Sequence, residues 1–238
     1  MSRFGFSTEP SAGGDFTPIV KYDARAGRVF RVDREQTADG FASNPVDITS
    51  TFKAVVDFEN VETGWMDFPP GSAPSFALVL LSSLDKGGSL PDRPSVKHKN
   101  GVRFLLKLNK ACGGDKPVRE LAGTSKAFLA GVEEVYEEYL RDRSRYPGQL
   151  PVIELASTTP VKSGSGAQQS TNYRPTFRIT GWAQRPADLI YLRPSAAPVE
   201  PLKPTPPATG AQTVPPPNVM NNGFGRGQPT QMADDDFG

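Results

Sequence analysis

Cysteine and histidine are almost absent from this chain. Among 238 residues there is one cysteine, Cys112, and one histidine, His98. A single cysteine excludes an intramolecular disulfide and a thiolate-rich metal site within one chain. His98 lies in "VKHKN", which we predict to be a solvated loop, so neither a Ser-His-Asp triad nor a histidine base is expected.

Long apolar runs are lacking as well. The longest, "FALVLL" (Phe76 to Leu81), is too short to cross a bilayer, and the N-terminus lacks an apolar signal core. We therefore expect no membrane contact and a cytoplasmic protein of a bacterial or phage-infected cell.

Enzyme motifs are also missing. "CGGDKP" departs from the phosphate-loop consensus, because its lysine is followed by proline. Asp57, Glu59 and Glu62 are spaced like the carboxylates of a metal-dependent nuclease, but we place Asp57 and Glu59 on the outward face of a strand beside a turn, where acids are common. We predict no catalytic residue, no cofactor and no metal.

The C-terminal part of the chain contains little that could fold. Between Pro194 and Gly238 there are ten prolines and two aromatic residues. Such a segment cannot bury enough apolar surface to offset the entropy of ordering it. We predict a flexible N-terminus over residues 1–16, one folded domain over 17–192 and a disordered linker over 193–231.

Strand patterns dominate the predicted domain. "PIVKYD" and "GRVFRVD" flank "ARAG" as in a hairpin, with Gly27 suited to a positive φ. Alternating apolar residues predict strands within 45–68, with a turn near 59–61, and in "GVRFLLKLNK". "SFALVLLSS" has the pattern of a strand buried on both faces, and residues 84–100 that of an exposed loop. Two further strands are "LPVIELASTTPVK" and "YRPTFRITGWAQ".

One segment, residues 115–146, has helical periodicity. Its apolar residues recur at intervals of three and four residues, and Thr124 or Ser125 can cap it. Four glutamates fill another face, which we expect to be solvated. A helix between the third and fourth principal strands fits a mainly β domain. We predict an antiparallel five-stranded Greek-key barrel of the oligonucleotide-binding (OB) kind, with the N-terminal hairpin as an addition.

Cations and aromatics are expected on the outward strand positions. Alternation predicts that Arg174, Arg178 and Trp182 share one face of the last strand. Bases offer π faces for stacking and phosphates attract cations, so Trp182 is predicted to stack bases; packing under the helix is the alternative. The predicted DNA-binding residues are Lys53, Trp65, Lys97, Lys99, Arg103, Lys107, Tyr173, Arg174, Arg178 and Trp182.

The sequence ends in "MADDDFG", residues 232–238, which we predict to be an acidic, partner-binding tip. With this ending the chain resembles single-stranded DNA-binding proteins of the bacterial and phage replication types. The resemblance implies an OB barrel and a tip that recruits replication, repair and recombination proteins and competes with DNA for the protein's own groove. The residues that match are Asp234, Asp235, Asp236 and Phe237. Because Phe237 follows the acids directly and precedes Gly238, a phage or plasmid version with its own partners fits best.

Together these features predict a protein that binds and protects single-stranded DNA without sequence preference during replication, recombination or repair. A homo-oligomer is compatible with the sequence. Two alternatives stay open. An RNA-binding or chaperone barrel would prefer ribose strands through contacts to the 2′-hydroxyl, and a protein-interaction module would have no affinity for nucleic acid.

Overall fold

The fold was obtained as a computed structural model that describes residues 17–37, 40–163 and 169–191. The predicted flexible N-terminus, the linker at 193–231 and the acidic tip at 232–238 lie outside these residues.

Ten strands form one sheet in the described part of the chain. Their bounds are β1 Ile19–Asp23, β2 Arg28–Thr37, β3 Gly40–Asp47, β4 Lys53–Val56, β5 Glu62–Asp67, β6 Ser75–Leu80, β7 Lys99–Leu108, β8 Val118–Gly123, β9 Gln149–Ser163 and β10 Ser170–Gln184. The order across the sheet is β10-β9-β4-β7-β8-β1-β2-β3, and β5 pairs with β6 and β7. Each pairing is antiparallel except that of β1 with β8, which is parallel.

The prediction of a mainly β domain with one long helix is confirmed, whereas the described strands form an open mixed sheet that is not closed into a barrel. The predicted N-terminal hairpin is present as β1 and β2, and Gly27 in its turn has a φ of 68°. One backbone hydrogen bond of 2.6 Å, from the Tyr173 N–H to the Ala24 carbonyl, links β10 to that turn.

The long helix, α2, spans Lys126–Asp142 and begins after Ser125, one of the two predicted caps. A short helix, α1, covers Leu81–Leu84. The helical prediction for residues 115–146 was wrong at its beginning, because Val118–Gly123 forms β8 instead. There Arg119 is buried and pairs with Asp33, so it occupies an inward strand position that an apolar residue usually takes.

The core lies between α2 and the sheet. Phe128, Val132, Val135 and Tyr139 recur at the helical period and are buried. Across from them lie buried residues of β4, β7, β9 and β10 and of the turn before β4: Phe52, Ala54, Val56, Phe104, Leu106, Ile153 and Phe177. This packing determines which sheet face is left for solvent and ligands.

Gly131 allows α2 to approach β10 closely. A Cβ built on Gly131 would lie 2.3 Å from the Pro175 carbonyl oxygen, which is a backbone atom. In an exposed helix a Gly-to-Ala change stabilises by about 1 kcal/mol. Here we expect Gly131→Ala to destabilise instead, by about 1 to 3 kcal/mol, since the helix must move away from the strand. Urea unfolding measures this; an unchanged or raised stability would contradict the close packing.

Candidate nucleic-acid interface

A groove of about 1050 Å³ lies where β1 and β8 end. The two strands pair at only two positions, Ile19 with Glu120 and Val20 with Leu121. The residues that follow these pairs, 21–25 and 122–125, all line the groove, which therefore begins where the pairing of the two strands stops. The segment that joins β5 to β6 contributes a further wall with Phe68, Ala73 and Pro74.

Aromatic and cationic side chains line this groove together. Phe68 is 45% exposed and meets Phe76 at a ring-centroid distance of 5.8 Å, nearly at right angles. The remaining aromatic residues in the lining are Tyr22 and Phe128, and the cations are Lys21, Arg25, Arg34 and Arg103. Two acids, Asp23 and Glu120, also line it. The groove thus has rings for stacking and an excess of positive charge, the two properties that an unpaired nucleic acid strand needs.

Arg103 has the most constrained position among these cations. Its Nε donates to Glu62 Oε2 at 2.6 Å, and its Nη2 lies 2.6 Å from the same oxygen. Its Nη1 lies 3.8 Å from Glu120 Oε2. The guanidinium carbon stands 4.7 Å above the centre of the Phe76 ring. Arg103 is therefore held by acids along its N–H edge and by an aromatic ring on one side.

Burial changes the titration of two groove residues. It raises the pKa of Glu120, against the opposing effect of Arg103. It also raises the pKa of Tyr22 to about 12, with a smaller contribution from the negative charge of Asp23. The Tyr22 hydroxyl donates to the Tyr173 carbonyl at 2.8 Å, so this ring is fixed between the N-terminal hairpin and β10.

The segment after β10, residues 185–191, returns across the sheet; we call it the C-terminal clasp. Arg185 forms two hydrogen bonds of 2.8 Å with Asp57 and one of 2.7 Å with Glu59. Lys107 pairs with Asp188 at 2.7 Å, and the Tyr191 hydroxyl donates to Glu62 at 2.8 Å. The clasp therefore ends beside the acid that holds Arg103.

These contacts also show what binds the three carboxylates whose spacing resembles that of a metal-dependent nuclease. The outward position predicted for Asp57 was wrong: its side chain is fully buried. β4 ends at Val56, and a 3-10 turn at Phe58–Asn60 follows, so the alternation of the strand does not extend to Asp57. Asp57 and Glu59 bind Arg185 while Glu62 binds Arg103, and no cluster of three or more metal-ligating residues occurs in the described ranges.

Three predicted DNA-binding residues share the outer face of the sheet. Lys53 and Arg178 both lie opposite Glu154 on neighbouring strands, and Lys107 is opposite Val55. Lys53 pairs with Glu154 at 2.6 Å, and Lys107 is bound to Asp188. Only Arg178 of the three makes no ion pair with the described residues. This face is thus largely neutralised by the protein's own acids.

The prediction that Trp182 shares a face with Arg174 and Arg178 was wrong. The β9–β10 ladder shifts register twice. Between Thr176 and Phe177 the unpaired residue is Ala156 of β9, whereas between Ile179 and Gly181 it is Thr180 of β10, so only the second shift reverses the alternation along β10. Arg174 forms an ion pair with Glu134 of α2, which was predicted to be purely solvated.

Trp182 lies on the side of α2. Its ring stacks on Tyr146 at a centroid distance of 4.6 Å and on Tyr139 at 5.9 Å. It also packs against the core, which was the alternative to base stacking. Tyr173 is at the junction of β10 with the turn after β1, where both its backbone groups are bonded. Base stacking by Trp182 or Tyr173 stays a prediction.

The remaining predicted residues lie near the loop that precedes β7. The Trp65 Nε1 donates to the Pro91 carbonyl at 2.9 Å, and Arg93 stands 5.0 Å above its ring. Lys97 and Lys99 are exposed on either side of His98. The prediction of a solvated His98 was wrong: the residue is 6% exposed and its ring nitrogens contact the hydroxyls of Ser95 and Ser75. This histidine therefore fixes the loop on β6.

Of the ten residues predicted to bind DNA, only Arg103 lines the groove. Sequence reasoning missed five of its most suitable side chains, namely Lys21, Tyr22, Arg25, Phe68 and Phe76. A usable signal was "DFPPGSAPSF", in which two phenylalanines flank a turn-forming segment.

Comparisons of this chain with protein-family models, with curated proteins and with solved structures find no match. Within the described ranges, no helix has the length and apolar character that crossing a membrane requires.

Proposed function

We propose that this protein binds single-stranded DNA without sequence preference and protects it during replication, recombination or repair. The observation that carries the proposal is the groove, which combines the exposed Phe68 and the partly buried Phe76 with several cations. Stacking is sequence-tolerant because every base has a π face, and phosphate contacts carry no base information. A groove of this composition therefore suits any unpaired strand.

The strand order supports an OB-like architecture as a second part of the proposal. Five neighbouring strands run β10-β9-β4-β7-β8, and α2 connects β8 to β9. Counted in chain order from β4, they are the fifth, fourth, first, second and third strands, with the helix between the third and fourth. That is the arrangement of an OB fold, in which the face of the second and third strands binds the ligand. β7 and β8 would be those two strands, and both contribute to the groove.

Several groove cations are available for phosphates. Lys21 is largely exposed and lies 4.0 Å from Asp23, at the limit of an ion pair. Arg25 is exposed and makes no ion pair with the described part of the chain. Each phosphate that such residues neutralise releases counterions, so the affinity should fall with salt by a slope of about −0.7 per contact for a single strand.

The direct test is the fluorescence anisotropy of a labelled dT strand of about 16 nucleotides, which matches the upper site size of one OB fold. We expect saturable binding that weakens as salt increases. Equal affinity for a dC strand would support the lack of sequence preference. Tighter binding of a uridine RNA strand would favour the RNA-binding alternative. If the folded protein binds no strand at low salt, the proposal is contradicted and the protein-interaction module is the better hypothesis.

Glu120 provides a test of the groove by pH. Since burial raises its pKa above the ordinary 4.5, Glu120 takes up its proton earlier than an exposed glutamate as pH falls. Its negative charge opposes a phosphate, so affinity for dT should rise on going from neutral pH toward that pKa. Glu120→Gln should tighten binding at neutral pH by up to about fivefold, because unit charges 4 Å apart in water interact by about 1 kcal/mol. Identical pH profiles for the two proteins would contradict this role.

The partner-binding tip is proposed from the sequence alone. Its acids would steer toward a basic rim, and Phe237 would insert into an apolar pocket of a replication or recombination protein. A chain that ends at Pro229 tests the competition which the resemblance implies. This truncated chain should bind dT more tightly at low salt, and a lower affinity would contradict the proposal.

A further inference from the structure

We infer that Arg103 is a base-stacking residue of the groove, which presents the plane of its guanidinium to one unpaired nucleobase instead of donating to a phosphate. The inference rests on the proposed function and concerns which chemical group of the strand meets Arg103. An arginine in a basic groove is ordinarily assigned to phosphate, so the two roles need to be separated by geometry.

The first observation is that the Nε–Nη2 edge of Arg103 is already bonded to an acid, and that Nη1 faces a second acid. Nε and Nη2 both lie 2.6 Å from Glu62 Oε2, and Nη1 faces Glu120 at 3.8 Å. The Glu62 side chain is only 7% exposed, so it has little water to replace the guanidinium. A phosphate that took these donors would leave a buried carboxylate without its cation, which is strongly unfavourable.

The second observation is that the guanidinium lies over an aromatic ring. Its central carbon is 4.7 Å above the centre of the Phe76 ring, and Phe68 supports that ring from the side. The Arg103 side chain is 16% exposed and lines the groove. With the Nε–Nη2 edge bonded to Glu62 and the guanidinium carbon over Phe76, the remaining side of the plane is the part assigned to the ligand.

These contacts make Arg103 a fixed, flat platform. Guanidinium planes stack on nucleobases, and the plane is most effective when its orientation is already set, because no rotamer freedom is then lost on binding. Glu62 is itself fixed by the Tyr191 hydroxyl at 2.8 Å. The ligand of this subsite is therefore one unpaired base. Any of the bases can occupy it, and the base stacks on Arg103 on the side away from Phe76.

The test compares Arg103→Lys with Arg25→Gln on two strands, a dT oligomer and an abasic strand of equal length that keeps every phosphate. Lysine keeps the cation beside Glu62, so the fold should be retained, but it lacks the plane. We expect Arg103→Lys to weaken dT binding by about tenfold, to leave abasic binding within about twofold, and to leave the salt slope for dT unchanged. Arg25→Gln should weaken both strands equally and reduce the slope by about 0.7.

The opposite pattern would overturn the inference. If Arg103→Lys weakens the abasic strand as much as dT, or leaves dT affinity unchanged, then Arg103 does not stack a base. Thermal unfolding of both variants shows whether a loss comes from unfolded protein, and Phe76→Leu provides a second variant that removes the supporting ring and keeps the guanidinium. Failure of the proposed function itself looks different, because the unsubstituted protein would then bind neither strand.

Discussion

Arg185→Gln is expected to lower the free energy of unfolding by about 3 kcal/mol, the largest stability effect that we predict for a substitution near the surface. The expected loss of stability arises from Asp57, the partner of Arg185, and not from Arg185 itself. Arg185 is about one third exposed, whereas the Asp57 side chain that it binds is fully buried. Removal of the cation leaves an ionised carboxylate without water and without a counter-charge.

The bonds of Asp57 explain the asymmetry of the pair. Both carboxylate oxygens accept from Arg185 at 2.8 Å, and Oδ2 also accepts from Asn60 at 2.9 Å. Asp57→Asn should cost less than Arg185→Gln, because Arg185 keeps Glu59 at 2.7 Å and some contact with solvent. The double substitution should be more stable than the sum of the two single effects predicts, since it leaves no buried charge unpaired.

Urea unfolding measures each free energy. Arg178→Gln is the matched control, because Arg178 is an exposed arginine on β10 that makes no ion pair with the described residues. Its effect should stay within about 0.5 kcal/mol. A loss below about 1 kcal/mol for Arg185→Gln would mean that water reaches Asp57 after the change, and that the clasp contributes little to stability.

The same acid illustrates where sequence reasoning stopped. The alternation through Phe52, Ala54 and Val56 predicted an inward-facing strand row, and all three residues are buried. Extending that alternation by one residue placed Asp57 outside, but the strand ends at Val56 and a 3-10 turn begins at Phe58. Parity holds only as long as the strand continues, and a buried carboxylate is acceptable because Arg185, far along the chain, returns to it.

The outward position predicted for Trp182 was wrong for a related reason. Alternation over β10 predicted an outward ring, but Thr180 of β10 is unpaired in the ladder with β9, which reverses the alternation before Trp182 is reached. A bulge leaves no strong mark in a single sequence, so a long strand accumulates such errors. The residues after Thr180 therefore change faces, and the ring lies against Tyr139 and Tyr146.

The groove could not have been assembled from local patterns. Its lining comes from the first strand, from the β5–β6 segment and from β7 and β8, and it depends on a parallel pairing between β1 and β8. Parallel pairs join segments that are distant in the chain, and here about a hundred residues separate Ile19 from its partner Glu120. The basic character of β7 was predictable, but its neighbour β1 was not.

Phe68→Ala is expected to have the largest effect of a single groove substitution on dT affinity, a loss of about tenfold to a hundredfold. Phe68 is 45% exposed, so its ring gains more by covering a base than a buried ring does. Its edge-to-face contact with Phe76 at 5.8 Å fixes the ring beside the Arg103 platform. Loss of the ring removes one stacked base and loosens the wall behind it.

The substitution should change stability little. An aromatic side chain that is nearly half exposed contributes less to stability than a buried one. We therefore expect the free energy of unfolding to fall by about 1 kcal/mol or less. The anisotropy of labelled dT, measured at one salt concentration for folded protein, gives the affinity. The slope of affinity against salt should stay that of the unsubstituted protein, because no phosphate contact is removed.

Tyr146→Ala is the matched control, and it also tests the prediction made for Trp182. Tyr146 is 38% exposed, is paired with another aromatic ring as Phe68 is, and does not line the groove. If the groove binds the strand, Tyr146→Ala leaves dT affinity within about twofold while Phe68→Ala loses it. If Trp182 stacks bases instead, removal of Tyr146 uncovers the indole and tightens dT binding, and Phe68→Ala has no effect. The two variants therefore give opposite orders of affinity for the two surfaces, so a single titration series decides which one the strand occupies.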